Sequence, residues 1–320
     1  MPRQSPATSH GSPLPDLRSA LGDAIAQLEH EHVPSAALAA ELLLMHTLGR
    51  DRAWIYAHSE HELDTAAREK YFSLVTRRSN GVPTQYLTGH QEFWGLEFEV
   101  TPDVLIPRPE TEHVIEVALE RLCVSRESPG SLHRQQDGQQ GFRIADVGTG
   151  SGCIAIALAH ELPAAHFMAT DISAAALKVA GRNAARHHVT SRVEFIECNM
   201  LDGLYQRSPA GHPFAHLDLI AGNPPYIARR DAQTLAREVR EHEPEVALYG
   251  GETGVELYAP LIAQASRLLK PGGFLVLELG QDSANHVSRL LDAPEWNALT
   301  ITNDLAGIPR VACARRASTL

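Results

Sequence analysis

The sequence has little of what marks a secreted, metal-binding or membrane-spanning protein. Its four cysteines, in 320 residues, form no CxxC pair, which argues against a zinc site and against a disulfide framework. No apolar run approaches the roughly 20 residues that cross a bilayer, and the first residues, MPRQSPATSHGSPLPD, lack the apolar segment of a signal peptide. We therefore expect a cytoplasmic protein that is neither exported nor inserted into a membrane.

Basic residues are also scarce. Lysine and arginine number 28 against 39 aspartates and glutamates, and the formal net charge is −11. An acidic body does not attract a phosphate backbone, so we expect no direct nucleic-acid binding and a protein or small-molecule substrate instead. Seventeen histidines are present, but the pairs His30/His32 and His187/His188 have no third ligand at metal-binding spacing, and no metal is expected.

The first third of the chain predicts helices. Residues 1–14 are rich in serine and proline and predict a disordered tail. Apolar residues then recur at helical spacing in LRSALGDAIAQLEHE, SAALAAELLLMHTLG and TAAREKYFSLVTRR, which predicts a small helical bundle over residues 15–82. In QYLTGHQEFWGLEFEVTPDVLIP the spacing changes to two residues, which predicts a linker over 83–108 that contains a β-hairpin.

Residues 109–320 predict an α/β domain. The helical segment TEHVIEVALERL is followed by polar residues over 125–141, which predict a flexible loop. Apolar strands RIADV, HFMAT, VEFIE, LDLIA and GFLVLEL then alternate with helices, and this alternation predicts a doubly wound, mostly parallel sheet covered on both faces. LTITND and RVACARR are predicted to add an antiparallel pair at its edge.

A glycine-rich turn follows the first of these strands. The sequence GTGSG lies between RIADV and an apolar helix, the arrangement that brings a nucleotide-like ligand close to a helix N-terminus. Glycines can also form such a turn without a ligand. We expect the turn to bind a cofactor through Gly148, Thr149, Gly150, Ser151 and Gly152.

Two cofactors compete for this turn. A dinucleotide fingerprint, G-x-G-x-x-G, requires a third glycine where this chain has Cys153. S-adenosylmethionine requires a carboxylate for its ribose at the end of the next strand, where Asp171 stands, although the same residue would serve NAD. Asp146 beside the turn favours a ligand that carries ammonium and sulfonium groups over one that carries a pyrophosphate. Asn199 and Met200 end the third strand and are placed to border an adenine ring, but Met200 fits core packing as well.

The strand LDLIA ends abruptly in GNPPYI, whose two prolines continue neither a strand nor a helix. Ligands of open α/β sheets bind at the carboxyl edge, so this turn should face the cofactor. The Asn223 side-chain oxygen and the turn's carbonyls can accept both hydrogens of an NH₂ group, orient its poorly nucleophilic nitrogen and stabilise the charge that develops on it. The predicted catalytic residues are Asn223, Pro224 and Tyr226; Pro225 joins them in binding substrate, and Asn223 also borders the cofactor.

DVGTGSG and NPPYI together resemble the class I methyltransferases that modify exocyclic or amide nitrogens, both on DNA and on protein glutamines. The further segments GVPTQYLTGHQEFWGLEFEV, VLIPRPETE and EHEPEVALYGGETG, in this order, resemble the HemK/PrmC family of peptide chain release factor glutamine methyltransferases over about residues 16–315.

This resemblance implies a seven-stranded sheet and methyl transfer from S-adenosyl-L-methionine to the glutamine of the Gly-Gly-Gln loop in release factors. By position, Asp171 corresponds to the ribose-binding acid, Met200 to the adenine-side residue and Asn223–Tyr226 to the substrate site, while the N-terminal helices correspond to a release-factor docking domain. We expect a monomer. Alternatives are a DNA amino-methyltransferase, a ribosomal-protein glutamine methyltransferase, a non-catalytic binding module and an NAD-dependent oxidoreductase.

Overall fold

The structure, a computed structural model, describes residues 16–127, 141–206 and 217–318. The tail predicted over 1–14 lies outside the described residues, as does most of the loop predicted over 125–141. The chain divides into two compact units, Met1–Thr88 and Gly89–Leu320.

The N-terminal unit is helical. Asp16, Asp51 and Asp64 each accept a hydrogen bond from a backbone N–H three residues further on, which caps a helix N-terminus. Two short helices, at residues 52–57 and 84–88, were not predicted, because fewer than two turns give too little apolar periodicity. The helices are α1 Leu17–His30, α2 Ala36–Leu48, α3 Arg52–Ala57, α4 Thr65–Ser79 and α5 Thr84–Thr88.

The second unit begins with the predicted hairpin, in which β1 (His90–Phe93) pairs antiparallel with β2 (Leu96–Glu99). Helix α6 (Glu112–Glu127) follows and extends three residues into the segment predicted as a loop. The buried Asn183 side chain bonds both the N–H and the carbonyl of Glu99, and it also donates to the carbonyl of Ser151. One buried amide therefore connects the hairpin to the glycine-rich turn.

A seven-stranded sheet forms the centre of this unit, in the order β5-β4-β3-β6-β7-β9-β8. The first five strands are parallel, and β9 pairs antiparallel with both β7 and β8. The predicted doubly wound, mostly parallel sheet with its antiparallel edge pair is confirmed. The strands are β3 Arg143–Val147, β4 His166–Asp171, β5 Val193–Glu197, β6 Leu217–Gly222, β7 Leu269–Glu278, β8 Trp296–Asn303 and β9 Pro309–Arg316.

Helices cover both faces of the sheet. Successive residues of β3 point to opposite faces, so Ile144 packs in the apolar cluster on one side and Ala145 in the cluster on the other. No helix within the described ranges is long and apolar enough to cross a membrane. The helices after α6 are α7 Cys153–Glu161, α8 Ala174–Arg186, α9 Asp202–Gln206, α10 Arg237–His242, α11 Glu245–Leu248, α12 Tyr258–Leu268 and α13 Ala284–Leu290.

The strand register brings four chain segments to one edge of the sheet. Val147 pairs with Thr170 of β4 and with Gly222 of β6, and Gly222 pairs with Leu277 of β7. The strand order reverses between β3 and β6, which is where open α/β sheets bind ligands. The residues that follow these aligned positions are Gly148, Asp171, Asn223 and Glu278.

Candidate active site

A cavity of about 600 Å³ opens at this edge of the sheet, within the size range of small-molecule sites. It brings together the two segments that the sequence predicted to meet, the glycine-rich turn and the Asn-Pro-Pro turn. The predicted site residues that line it are Gly148, Thr149, Gly150, Ser151, Asp171, Met200, Asn223, Pro224 and Pro225.

The glycine-rich turn is held by Asp171. Gly148 and Gly150 have φ angles of 69° and 55°, a region in which glycine carries no steric penalty. One Asp171 carboxylate oxygen accepts from the N–H of Gly150 at 2.8 Å, and the other accepts from the N–H of Ser173 at 2.9 Å. Burial raises the pKa of Asp171, against backbone hydrogen bonds from Ser173, Gly150 and Ile172 that favour its charged form. A carboxylate has about four acceptor positions, so the backbone donors do not use the full capacity of Asp171.

Asp146, which was predicted to favour a cationic ligand, does not line the cavity. Its side chain is fully buried, and one oxygen accepts from the Thr149 hydroxyl at 2.6 Å and from the N–H of Ala155 at 3.1 Å. Burial raises the pKa of Asp146 to about 7. The residue stabilises the turn and the start of α7, and it gives no reason to prefer a sulfonium ligand over a pyrophosphate.

Gly152 lies beside the cavity-lining part of the turn and packs two helices together. Its φ is 85°, and a Cβ there would lie 2.8 Å from Ile156 Cδ1 and 3.2 Å from Ala180 Cβ. Only glycine therefore allows α7 to pack this closely on α8. The structure thus shows a packing role for Gly152. The cofactor contact predicted for this residue stays a prediction.

Met200 and Asn199 both line the cavity at the end of β5. Met200 has a φ of 50°, which is uncommon for a residue with a side chain, and such strain often occurs at ligand sites. Its side chain also packs against the apolar cluster that contains Leu201 and Leu204. The packing role of Met200 is therefore observed, and its contact with the adenine stays a prediction.

Asn223 belongs to a hydrogen-bond network that sequence reasoning missed. Its Nδ2 donates to the Thr111 hydroxyl at 3.1 Å, and that hydroxyl donates to Glu278 Oε2 at 2.6 Å. Glu278 is fully buried, and burial raises its pKa to about 7. A single acid at the end of the apolar strand GFLVLEL was the available signal for Glu278.

Tyr226, predicted as a catalytic residue, does not line the cavity. Its hydroxyl donates to Glu278 Oε1 at 3.1 Å, and burial raises the pKa of this phenol. Its ring lies close enough to Gly280 that a Cβ there would be 3.0 Å from Tyr226 Cδ2. Tyr226 thus anchors the end of the Asn-Pro-Pro-Tyr turn, and its contact with substrate stays a prediction.

A glycine-rich loop, GGETG at 250–254, contacts the backbone of the Asn-Pro-Pro-Tyr turn. Ile227 donates its N–H to Leu248 O, and Gly250 donates to Ile227 O, each at 3.0 Å. A Cβ on Gly250 would overlap the carbonyl oxygen of Pro225, and one on Gly254 would overlap that of Tyr226. In the sequence this segment only contributes to the family resemblance, and the structure shows that its glycines permit backbone contact with the turn.

Cationic and apolar groups line another part of the cavity. Arg108 contacts the buried carboxylate of Glu243 at 2.5 Å, and the guanidinium of Arg229 lies 4.7 Å from the centre of the Tyr249 ring. Val246 is 52% exposed. Arg108, Arg229, Tyr249 and Val246 all line the cavity.

This fold and site define a methyltransferase. Residues 139–304 match the family model described as a methyltransferase domain. The solved methyltransferase domain of METTL16 covers 71% of this chain and 90% of its own, with a TM-score of 0.50 and 19% identity, a likeness that shows the fold alone.

The comparisons also identify the family. Residues 19–89 match the model of the PrmC N-terminal domain. The release factor glutamine methyltransferase of Koribacter versatilis is 40% identical over 94% of this chain and 98% of its own, and that of Moorella thermoacetica is 42% identical over 94% and 98%. The chain belongs to the release factor glutamine methyltransferase family.

Proposed function

We propose that this chain transfers a methyl group from S-adenosylmethionine to the side-chain amide nitrogen of the glutamine in the Gly-Gly-Gln loop of peptide chain release factors. The observation that carries the proposal is that Asp171 with its glycine-rich turn and Asn223 with its proline turn line the same cavity. The family of the chain supports the release factor as substrate.

The residues at the glycine-rich turn fit the donor. Gly148 and Gly150 have no side chain between the backbone and the cavity, and the Asp171 carboxylate keeps acceptor capacity for a ribose hydroxyl. Met200 and Asn199 border the space for the adenine. When bound, the donor supplies an electrophilic methyl group on a sulfonium.

The Asn-Pro-Pro turn fits the acceptor. An amide nitrogen is a poor nucleophile because its lone pair is delocalised, so the enzyme must orient it and stabilise the positive charge that forms on it. Asn223 Oδ1 accepts one N–H of the substrate amide, and backbone carbonyls of the rigid turn accept the other. The prolines offer no competing N–H donors.

Mass spectrometry of a purified release factor tests the function directly. The release factor is incubated with the chain and isotopically labelled donor and then digested. We expect one labelled methyl group on the peptide that contains Gly-Gly-Gln, located on its glutamine. A ribosomal protein and a DNA fragment serve as competing substrates, and labelling of either one in place of the release factor would contradict the proposal.

Replacing Asp171 with alanine should weaken donor binding by about 10- to 100-fold, because hydrogen bonds to a charged group contribute roughly 1.5–3 kcal/mol. Isothermal titration with S-adenosylmethionine measures the change, and a thermal melt reports the fold. The exposed Asp292, replaced in the same way, is the matched control and should leave affinity unchanged. Unchanged affinity in a folded Asp171→Ala variant would remove Asp171 from the donor site.

We also propose that the N-terminal unit docks the release factor. Removing residues 1–88 should then lower kcat/KM on the intact release factor on the order of tenfold more than on a short Gly-Gly-Gln peptide, since remote binding assists only the larger substrate. The deletion ends at Thr88 because α5 packs with α2 and α4. Equal losses on the two substrates would show that the unit supports the catalytic domain only.

A further inference from the structure

One buried carboxylate anchors both ends of the Asn-Pro-Pro-Tyr turn. Glu278 Oε1 accepts from the Tyr226 hydroxyl, and Oε2 accepts from Thr111, which in turn is bonded to Asn223. Thr111 is 2% exposed and Glu278 is fully buried, so the hydrogen bond between them is shielded from water. Thr111 and Glu278 come from segments 167 residues apart.

When Glu278 is charged, only one arrangement of the hydroxyl and amide hydrogens satisfies the hydrogen bonds of this network. A carboxylate has no proton to donate, so the single hydroxyl proton of Thr111 goes to Glu278. The Thr111 oxygen can then only accept, and the neighbouring Asn223 must present its NH₂ group to it. The 2.6 Å and 3.1 Å separations agree with this direction of donation.

We propose that Thr111 is a positioning and specificity-determining residue, which fixes the Asn223 amide so that Oδ1 is left for the substrate. The inference rests on the proposed function and deepens it. With Oδ1 fixed, the site accepts a hydrogen from a glutamine NH₂ and repels the oxygen of a glutamate at the same place. Without Thr111, the two orientations of the Asn223 amide become closer in energy, and both the rate and the discrimination fall.

The experiment compares the full-length chain with Thr111→Val and Thr111→Ser. Valine keeps the volume of threonine but removes the hydroxyl, and serine restores the hydroxyl. Thr302→Val, on the partly exposed strand β8 at the far edge of the sheet, is the matched control. Assays use a release-factor peptide with saturating donor, well above pH 7, where Glu278 is a carboxylate.

We expect Thr111→Val to lower kcat by about tenfold, the effect of one lost hydrogen bond, while KM for the peptide and the donor Kd change less than about threefold. A peptide with glutamate in place of glutamine should inhibit this variant about fivefold more tightly than it inhibits the wild type, because Asn223 can now turn its NH₂ group to the carboxylate. Thr111→Ser and Thr302→Val should behave like the wild type.

Three results would overturn the inference: near-wild-type kcat in Thr111→Val, an equal loss of kcat in the valine and serine variants, or unchanged inhibition by the glutamate peptide in Thr111→Val. Each of these results is a comparison with the wild type, so it can be obtained only if the wild-type chain methylates the glutamine. A wild-type chain that leaves the release factor unmethylated would overturn the proposed function itself, and the inference with it, so the two failures are distinguishable.

Discussion

Replacing Asn223 with alanine should lower the single-turnover rate of glutamine methylation by about 10²–10³, the usual cost of removing one oriented contact to a developing charge. Asn223 lines the cavity with its amide held by Thr111, so the substrate nitrogen meets a fixed acceptor. Alanine removes that acceptor and leaves the two prolines in place. Donor affinity and the melting temperature should change little, because Gly222 and the strand before it keep their pairing.

Asn223→Asp tests whether an acceptor oxygen at this position is enough for methyl transfer, because aspartate has nearly the same size as asparagine. Aspartate keeps an oxygen in the same place and adds a negative charge near the sulfonium, which should tighten donor binding. It cannot donate to Thr111, whose own proton is already bound by Glu278, so its orientation is less well fixed. We expect the rates to fall in the order wild type, aspartate, alanine. Near-wild-type turnover by Asn223→Ala at saturating donor would rule out the proposed role of this amide.

The sheet and the position of the cavity could be predicted because they depend on local patterns. Buried parallel strands appear in a sequence as short apolar runs. The predicted strands RIADV and VEFIE coincide with the observed β3 and β5. The carboxyl edge then follows from topology, so placing Gly148, Asp171 and Asn223 together required only the strand order.

The network behind Asn223 could not be predicted in the same way. Its bonds join residues 112 and 167 positions apart, and nothing in the local pattern pairs Thr111 with Asn223 or Glu278. Asp146 was misplaced for a related reason, since closeness to the turn in sequence does not reveal that its carboxylate bonds Ala155 inside the fold. Side-chain direction at a strand end depends on packing that sequence spacing does not record.

Gly254→Ala should have the second-largest effect, on both stability and rate. Gly254 has a φ of 84°, and a Cβ there would overlap the carbonyl oxygen of Tyr226, a backbone atom that cannot rotate aside. The Asn-Pro-Pro-Tyr turn must therefore shift or the loop must open. We expect the free energy of unfolding to fall by about 2–4 kcal/mol, and kcat to fall roughly 100-fold, the cost of a displacement near 1 Å at reacting groups.

Gly307→Ala is the control that separates backbone strain from displacement of the turn. Gly307 has a φ of 80°, almost the same as Gly254, but a Cβ there meets no atom within 4 Å. Both variants carry the strain of a left-handed alanine, about 1–2 kcal/mol, and only Gly254→Ala also pushes on Tyr226. Denaturant melts and single-turnover rates should therefore show a modest loss of stability with full activity for Gly307→Ala, and a larger loss of both for Gly254→Ala. Equal stability losses and unchanged rates in the two variants would mean that the 250–254 loop does not hold the turn in its active position.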